Sequence, residues 1–144
     1  MILRILGLLL MMFSLTMVPP IAISLLFGDG TWDAFLIAIA ITVLTGALMF
    51  LPNRRARREL RTRDGFLIAA MFWTVLGLFG SLPLMLTGST ALSFTDAVFE
   101  SFSGLTTTGA TVITGIDFLP EAILYYRQQL QWLGGMGIVV LAVA

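Results

Sequence analysis

Long apolar runs separated by short polar stretches dominate the chain. Residues 5–27 form a stretch of 23 residues without a charge, and further apolar runs cover residues 34–51, 65–86 and 120–144. A helix rises about 1.5 Å per residue, so about 20 residues are enough to cross a bilayer core of about 30 Å. The pattern therefore predicts four membrane-crossing helices.

The stretch between the third and fourth runs is too short to cross. Residues 92–105 comprise only 14 positions and include Asp96 and Glu100, which is typical of a re-entrant half-helix. Ser93 and Asp96 have the spacing of an N-terminal capping motif, and we expect the helix to end at Gly104. A half-helix entering from outside directs its partially negative C-terminal end toward the membrane middle, where it favours a cation.

A polar, glycine-containing run, residues 103–111, follows this half-helix and has the sequence SGLTTTGAT. Lipid cannot hydrate an irregular backbone, so such a run persists at membrane depth only where protein buries it or water reaches it. By composition alone the run is typical of an ordinary turn. Its position between a half-helix and a crossing helix instead favours a loop that lines a pore and presents carbonyl groups to a cation.

Composition sets the class of protein. Hydrophobic residues make up 58% of the chain and charged residues 11%, and the mean hydropathy is +1.01. We predict an all-α integral membrane protein with lipid as a partner. Residues 1–63 form a two-helix hairpin with a basic loop, and residues 64–144 form one helix, re-entrant pore-loop and helix unit.

The chain has no cysteine or histidine, and its eight acidic residues are scattered. Cysteine nucleophiles, disulfides and the commonest metal ligand and proton shuttle are therefore excluded. Without paired carboxylates or a nucleophile and base arrangement, we expect no enzyme activity. A formal net charge of zero gives no indication of nucleic-acid binding.

Basic residues set the orientation. Six of the eight lie in one short loop between the second and third runs: Arg54, Arg55, Arg57, Arg58, Arg61 and Arg63. Positive charge in short loops marks the cytoplasmic side, so we predict that this loop and the N-terminus are cytoplasmic. A second interpretation gives these arginines a role in docking a partner.

The residues FTDAVFESFSGLTTTGAT (94–111), LYYRQ (124–128) and QWLGGMGI (131–138) resemble the TrkH family, the membrane subunits of bacterial Trk potassium uptake systems. The resemblance implies the first of four pore-loop repeats around one potassium path in the bacterial inner membrane. It also implies a homodimer and a cytosolic nucleotide-binding regulatory ring of the TrkA type. Channel-like conduction and ion-coupled symport both remain open.

Carried over by position, the resemblance makes Thr107, Thr108, Gly109 and Ala110 the filter segment. Their main-chain carbonyls would bind K⁺, the transported ion, and those of Thr107 and Thr108 would be the chief ligands. Glycine at position 109 is physically compatible with this role, because it adopts backbone angles that a β-branched residue resists.

Four further residues are candidates for structural or gating roles. Glu100 and Arg127 are ionisable groups at membrane depth, and we expect them to pair and brace the half-helix, with ion attraction or gating as the alternative. Gly134 and Gly135 leave one face of the last helix without side chains. Close helix packing is the favoured explanation, and a gating hinge is the alternative.

One pore loop supplies one wall of a filter, so we expect these 144 residues to contain about a quarter of a pore and to be a partial sequence. The final helix reaches residue 144 without a polar flank, which supports that interpretation. One alternative is a small cation channel made of four identical copies. Another is a non-conducting membrane anchor or assembly module, which leaves the threonine run unexplained.

Overall fold

The computed structural model describes residues 1–53, 62–90 and 92–143, apart from the side chains of residues 62, 63 and 140–143. Five of the six arginines of the predicted basic loop lie outside the described residues, and the sixth, Arg63, is described only by its backbone, at the start of a helix. Among the described residues, all regular secondary structure is helical, in agreement with the predicted class.

The described segments contain seven α-helices and one short 3₁₀ turn at Ile116–Phe118. Their bounds are α1 Ile2–Leu15, α2 Val18–Phe27, α3 Trp32–Phe50, α4 Thr62–Gly80, α5 Leu82–Leu86, α6 Phe94–Leu105 and α7 Glu121–Val143. The half-helix is α6, and the polar run connects it to the 3₁₀ turn and α7.

Two of the predicted crossing helices are interrupted. The first divides into α1 and α2 at Thr16, and the third divides into α4 and α5 at Ser81. Both breaks precede prolines, Pro19 and Pro20 in α2 and Pro83 in α5. Proline lacks the N–H that would continue the helix and its ring crowds the carbonyl four residues earlier, so the helix breaks there. Each of these two predicted crossings therefore consists of two helices separated by a short break.

Three segments are long and apolar enough to cross a membrane, namely 2–27, 32–50 and 64–86, when the described residues are searched. The first and third include the breaks just described. The fourth predicted crossing, α7, has 23 residues and the necessary length, but it does not reach the same hydropathy. Its first half contains Arg127 and three glutamines, and of these Arg127 and Gln129 hydrogen-bond to other parts of the protein.

Glycine allows close approach of α1 and α3, which form the N-terminal hairpin. A Cβ atom added to Gly7 would lie 2.6 Å from the carbonyl oxygen of Gly46, so the two backbones touch. In α4, Gly77 leaves room for the ring of Phe102 from α6, because a Cβ atom added at position 77 would lie 2.4 Å from that ring. Small residues at such contacts are characteristic of helix packing in membranes.

Polar side chains of α7 bind the backbone at both helix breaks. The Gln129 amide donates to the Thr16 carbonyl at 2.8 Å, and the Tyr126 hydroxyl donates to the Gly80 carbonyl at 2.9 Å. The Thr16 carbonyl cannot receive the usual helical hydrogen bond, because the residue four positions later is Pro20. Unpaired backbone groups are costly inside a membrane, so these side chains stabilise the interrupted helices.

Asp29, in the loop between α2 and α3, caps the beginning of α7. One carboxylate oxygen accepts the N–H of Ala122 at 3.0 Å, and the other accepts the N–H and hydroxyl of Thr31 and the hydroxyl of Ser24. Burial opposes ionisation of this carboxyl, but the hydrogen bonds from Ser24, Thr31 and Ala122 outweigh it and hold its pKa below the ordinary value. The sequence indicated only a turn at this position.

We predict that Asp29→Asn lowers the free energy of unfolding by about 1–2 kcal/mol, the effect typical of a lost helix cap. A carboxylate with a lowered pKa stabilises the fold above its unfolded pKa of about 3.9, and this stabilisation disappears as the pH falls through the folded value. The difference between the two proteins should therefore be full at pH 7 and shrink in acid, as measured by thermal unfolding in detergent.

Asp33→Asn is the matched control, because the Asp33 side chain accepts only from the adjacent Ala34 N–H among the described residues. Equal losses in the two variants, or a loss for Asp29→Asn that persists in acid, would contradict the capping role.

Candidate ion-conducting loop

The half-helix begins with the predicted cap. The Ser93 hydroxyl oxygen accepts the Asp96 N–H at 3.2 Å and donates its proton to the Asp96 carboxylate at 2.7 Å. The helix ends at Leu105, one residue beyond the predicted Gly104. Its C-terminal end, which carries partial negative charge, leads directly into the polar run.

After the half-helix, the backbone N–H groups turn back toward α6. Thr107 donates to the Gly104 carbonyl at 2.9 Å, and Thr108 and Gly109 both donate to the Ser103 carbonyl, at 2.9 and 3.3 Å. Two positive φ angles produce this turn, +57° at Thr107 and +74° at Gly109. The filter glycine predicted at 109 therefore has the conformation that favours glycine, whereas the positive φ at Thr107 was not anticipated.

The carbonyl oxygens of Thr107, Thr108 and Gly109 accept no hydrogen bond from any described residue. Residues 106–112 are all exposed, although the half-helix before them is largely buried. At residues 107–109 the N–H groups are hydrogen-bonded and the carbonyls are unpaired, so this part of the run presents main-chain acceptors, which are the groups that a cation binds.

Ala110 differs from its three predecessors. Its carbonyl accepts the hydroxyl of Ser103 at 2.6 Å, so one of its lone pairs is already occupied within the chain. Ser103 is buried in the half-helix, and it thereby binds the polar run through both its carbonyl and its hydroxyl. No sequence spacing indicated this contact.

Glu100 and Arg127 form the predicted ion pair. One Glu100 carboxylate oxygen accepts the Arg127 Nη2 at 3.0 Å and Nε at 3.3 Å. The other accepts the Thr111 hydroxyl and the Val112 N–H, each at 2.6 Å. Glu100 is 4% exposed, so this carboxylate ties the end of the polar run to α7 from a buried position. The Thr111 and Val112 contacts could not be read from the sequence.

Gly134 and Gly135, two of the three glycines of α7, differ in their surroundings. A Cβ atom on Gly134 would lie 2.0 Å from the Leu105 carbonyl oxygen, so the end of the half-helix rests on the α7 backbone. A Cβ atom on Gly135 would meet only the Thr107 methyl group at an ordinary 3.8 Å. Close packing therefore requires glycine at 134, and the hinge hypothesis for these two positions stays untested.

Acidic side chains near the polar run contribute little to the binding of a cation. Within the described part of the chain, no group of three or more acidic residues is placed to hold a metal, and the Glu100 charge is opposed by Arg127. A cation at this loop would therefore meet main-chain carbonyls and the end of the half-helix.

Comparison with known proteins gives the family of the chain. The sequence profile of the TrkH family, described as a cation transport protein, matches residues 32–144. The chain belongs to the TrkH family. It is 88% identical over all 144 residues to the Trk system potassium uptake protein TrkH of Halomonas elongata, and 54% identical over 141 residues to that of Escherichia coli.

The crystal structure of the potassium transporter TrkH from Vibrio parahaemolyticus superposes on 99% of this TrkH-family chain with a TM-score of 0.94 and 57% identity. The chain spans about 30% of the length of these relatives. The resemblance and the all-α membrane class predicted from the sequence are thus confirmed. Cation transport is the family's description, in keeping with the expectation that the chain is not an enzyme.

We predict that Gly134→Ala destabilises the TrkH-family protein by about 1–3 kcal/mol, because the added methyl group overlaps a backbone carbonyl that cannot move independently. Gly135→Ala is the matched control and should unfold at the temperature of the unmodified protein. Thermal unfolding of the full-length protein in detergent measures both. A stable Gly134→Ala variant would contradict the close contact between α7 and the half-helix.

We also predict that Glu100→Gln is destabilising, by about 3–5 kcal/mol, because it leaves the partly buried Arg127 guanidinium without its counter-charge. The double variant Glu100→Gln, Arg127→Gln should recover part of this loss, since it removes the uncompensated charge. The readouts are thermal unfolding and K⁺ uptake on the same preparations. Reduced uptake by a Glu100→Gln protein of unchanged stability would favour ion attraction or gating over bracing.

Proposed function

We propose that the full-length protein takes up K⁺ across the bacterial inner membrane and that this chain supplies about a quarter of the pore. The curated relatives carry the name Trk system potassium uptake protein, and the chain aligns with about 30% of their length. One helix, pore-loop and helix unit in that length is consistent with further units in the remainder, each contributing one wall.

The observation that carries this proposal is the separation of donors and acceptors in the loop. Its N–H groups at 107–109 bind the half-helix, and the carbonyls of 107–109 have no partner among the described residues. We assign the filter segment to Thr107, Thr108, Gly109 and Ala110, with K⁺ bound chiefly by the main-chain carbonyls of Thr107 and Thr108. Carbonyl oxygens in this arrangement replace the water molecules that a potassium ion loses on entering a filter.

The electrostatics of the loop support a cation. The half-helix directs its C-terminal end at the filter, where its partial negative charge attracts positive ions. Glu100 contributes little net charge because Arg127 neutralises it. In the proposed filter, the cation is attracted by the dipoles of the half-helix and of the main-chain carbonyls. Such dipoles bind an ion weakly enough for it to leave again, as conduction requires.

The exposure of the loop supports a pore that is enclosed by several pore-loop units. Residues 106–112 are exposed in this unit, and a bilayer cannot solvate their carbonyls. Walls from the remaining pore-loop units would enclose them around a water-filled path. The proposal extends to the arrangement that the family resemblance implies: a homodimer with a cytosolic nucleotide-binding ring, a cytoplasmic N-terminus, and apolar helices in contact with lipid.

We predict that Gly109→Ala lowers K⁺ flux about tenfold when the full-length protein is reconstituted in proteoliposomes. A φ of +74° costs a non-glycine residue about 1–2 kcal/mol, and relaxation of that strain would displace the adjacent carbonyls. The added methyl group meets no atom closer than 4.0 Å, so the effect is conformational and does not arise from a clash.

Gly28→Ala is the matched control. Gly28 also has a positive φ, +67°, and an added Cβ would meet nothing within 4 Å, but it lies in the loop after α2, away from the filter. It should cost similar stability and leave flux unchanged. Retention of full flux by Gly109→Ala, with the strain confirmed by a lower unfolding temperature, would exclude the filter assignment.

A further inference from the structure

We propose that Ser103 is a positioning residue for ion selectivity, because its hydroxyl keeps the Ala110 carbonyl directed away from the ion path. The inference rests on the proposed function, and it adds a residue outside the filter segment that decides which filter carbonyls reach the ion. Ser103 is 6% exposed and touches the loop only from the half-helix side.

The planarity of the peptide unit gives the direction of each carbonyl. In a trans peptide, the C=O of one residue points opposite to the N–H of the next. The N–H groups of Thr108 and Gly109 point to the Ser103 carbonyl on α6, so the carbonyls of Thr107 and Thr108 point away from α6. These two are the oxygens available to an ion on the exposed face.

The peptide after Ala110 has the opposite orientation. Its carbonyl points to the Ser103 hydroxyl on α6, so the N–H of Thr111 points away from α6. The change of direction occurs around Gly109, whose φ of +74° permits it. The loop therefore presents carbonyls at 107 and 108 and withholds the one at 110.

The surroundings of the Ala110 carbonyl explain how it stays in this orientation. A small cavity of about 10 Å³ lies behind the loop, lined by Glu100, Ser103, Gly104, Ala110, Arg127 and Gln131. This polar lining receives the carbonyl, and the Ser103 hydroxyl is the group that hydrogen-bonds it. After Ala110, Glu100 binds the Thr111 hydroxyl and the Val112 N–H. The peptide unit between Ala110 and Thr111 can therefore rotate while the following segment stays in place.

Selectivity depends on the number and field strength of the carbonyls around the ion. If the Ser103 hydroxyl is removed, the peptide after Ala110 is free to turn and add a carbonyl to the exposed face. An additional, mobile ligand suits a smaller ion as well as K⁺, so discrimination against Na⁺ should fall. Conduction itself should persist, since the carbonyls at 107 and 108 are held by the Ser103 main chain, which the substitution retains.

The test uses Ser103→Ala in the full-length protein, reconstituted in proteoliposomes, with K⁺ and Na⁺ fluxes measured on the same vesicles. We expect the K⁺ to Na⁺ flux ratio to fall about fivefold, the factor that corresponds to one ordinary hydrogen bond. Ser103→Thr, which keeps the hydroxyl, should restore the ratio. Ser103→Cys replaces the hydroxyl with a weaker donor of similar size and should give an intermediate ratio.

Ser101→Ala is the matched control. It removes the same atom from the same half-helix, and the Ser101 hydroxyl is buried without a hydrogen-bond partner in the part of the chain that the structure describes. The ratio should not change in this variant. If Ser103→Ala is not recovered from the membrane, the comparison of Ser103→Cys with Ser103→Thr supplies the same test.

Three results would overturn the inference: an unchanged ratio in Ser103→Ala, an equal loss of both fluxes at constant ratio, or the same ratio in Ser103→Thr as in Ser103→Ala. Each of these leaves the filter assignment intact, provided that Gly109→Ala still reduces K⁺ flux. Full flux in Gly109→Ala would instead remove the proposed function on which this inference rests.

Discussion

The requirement that main-chain polar groups find partners inside a membrane organises this structure. In the irregular run after α6, the N–H groups at 107–109 satisfy it by binding carbonyls of the half-helix. The carbonyls at 107 and 108 cannot satisfy it in the same way, because the peptide geometry turns them outward. A partner must come from outside the unit, and under the proposed function that partner is a permeating cation with its remaining water, which binds main-chain acceptors.

The same requirement accounts for the polar character of α7. Along its first three turns, the Ala122 N–H donates to the Asp29 carboxylate, Tyr126 and Gln129 donate to carbonyls at the two helix breaks, and Arg127 pairs with Glu100. These contacts join α7 to the loop before α3, to both helix breaks and to the half-helix. A more apolar helix would suit lipid better, but it would leave the interrupted helices and the polar run without support.

Features that rest on local sequence rules could be predicted. Periodicity and length gave the crossing segments, the Ser93 cap located the half-helix, and the cost of an isolated charge led to the Glu100 and Arg127 pair. Features that depend on distant residues meeting in space could not be predicted. Asp29 lies 93 positions before its partner Ala122, and no pattern connects them. The two helix breaks are a different case, because Pro19, Pro20 and Pro83 mark them in the sequence itself.

Thr107 shows why the loop has a defined shape. A β-branched residue with a φ of +57° is an outlier, and such a conformation persists only where the surroundings determine it. Here its own N–H and that of Thr108 are bound to α6, and its methyl group lies against the α7 backbone near Gly135. Glycine at 107 would adopt this angle without strain, but it would also adopt many others. Threonine held in this conformation limits the directions that its carbonyl can take, which is an advantage where an ion is recognised by the placement of oxygens.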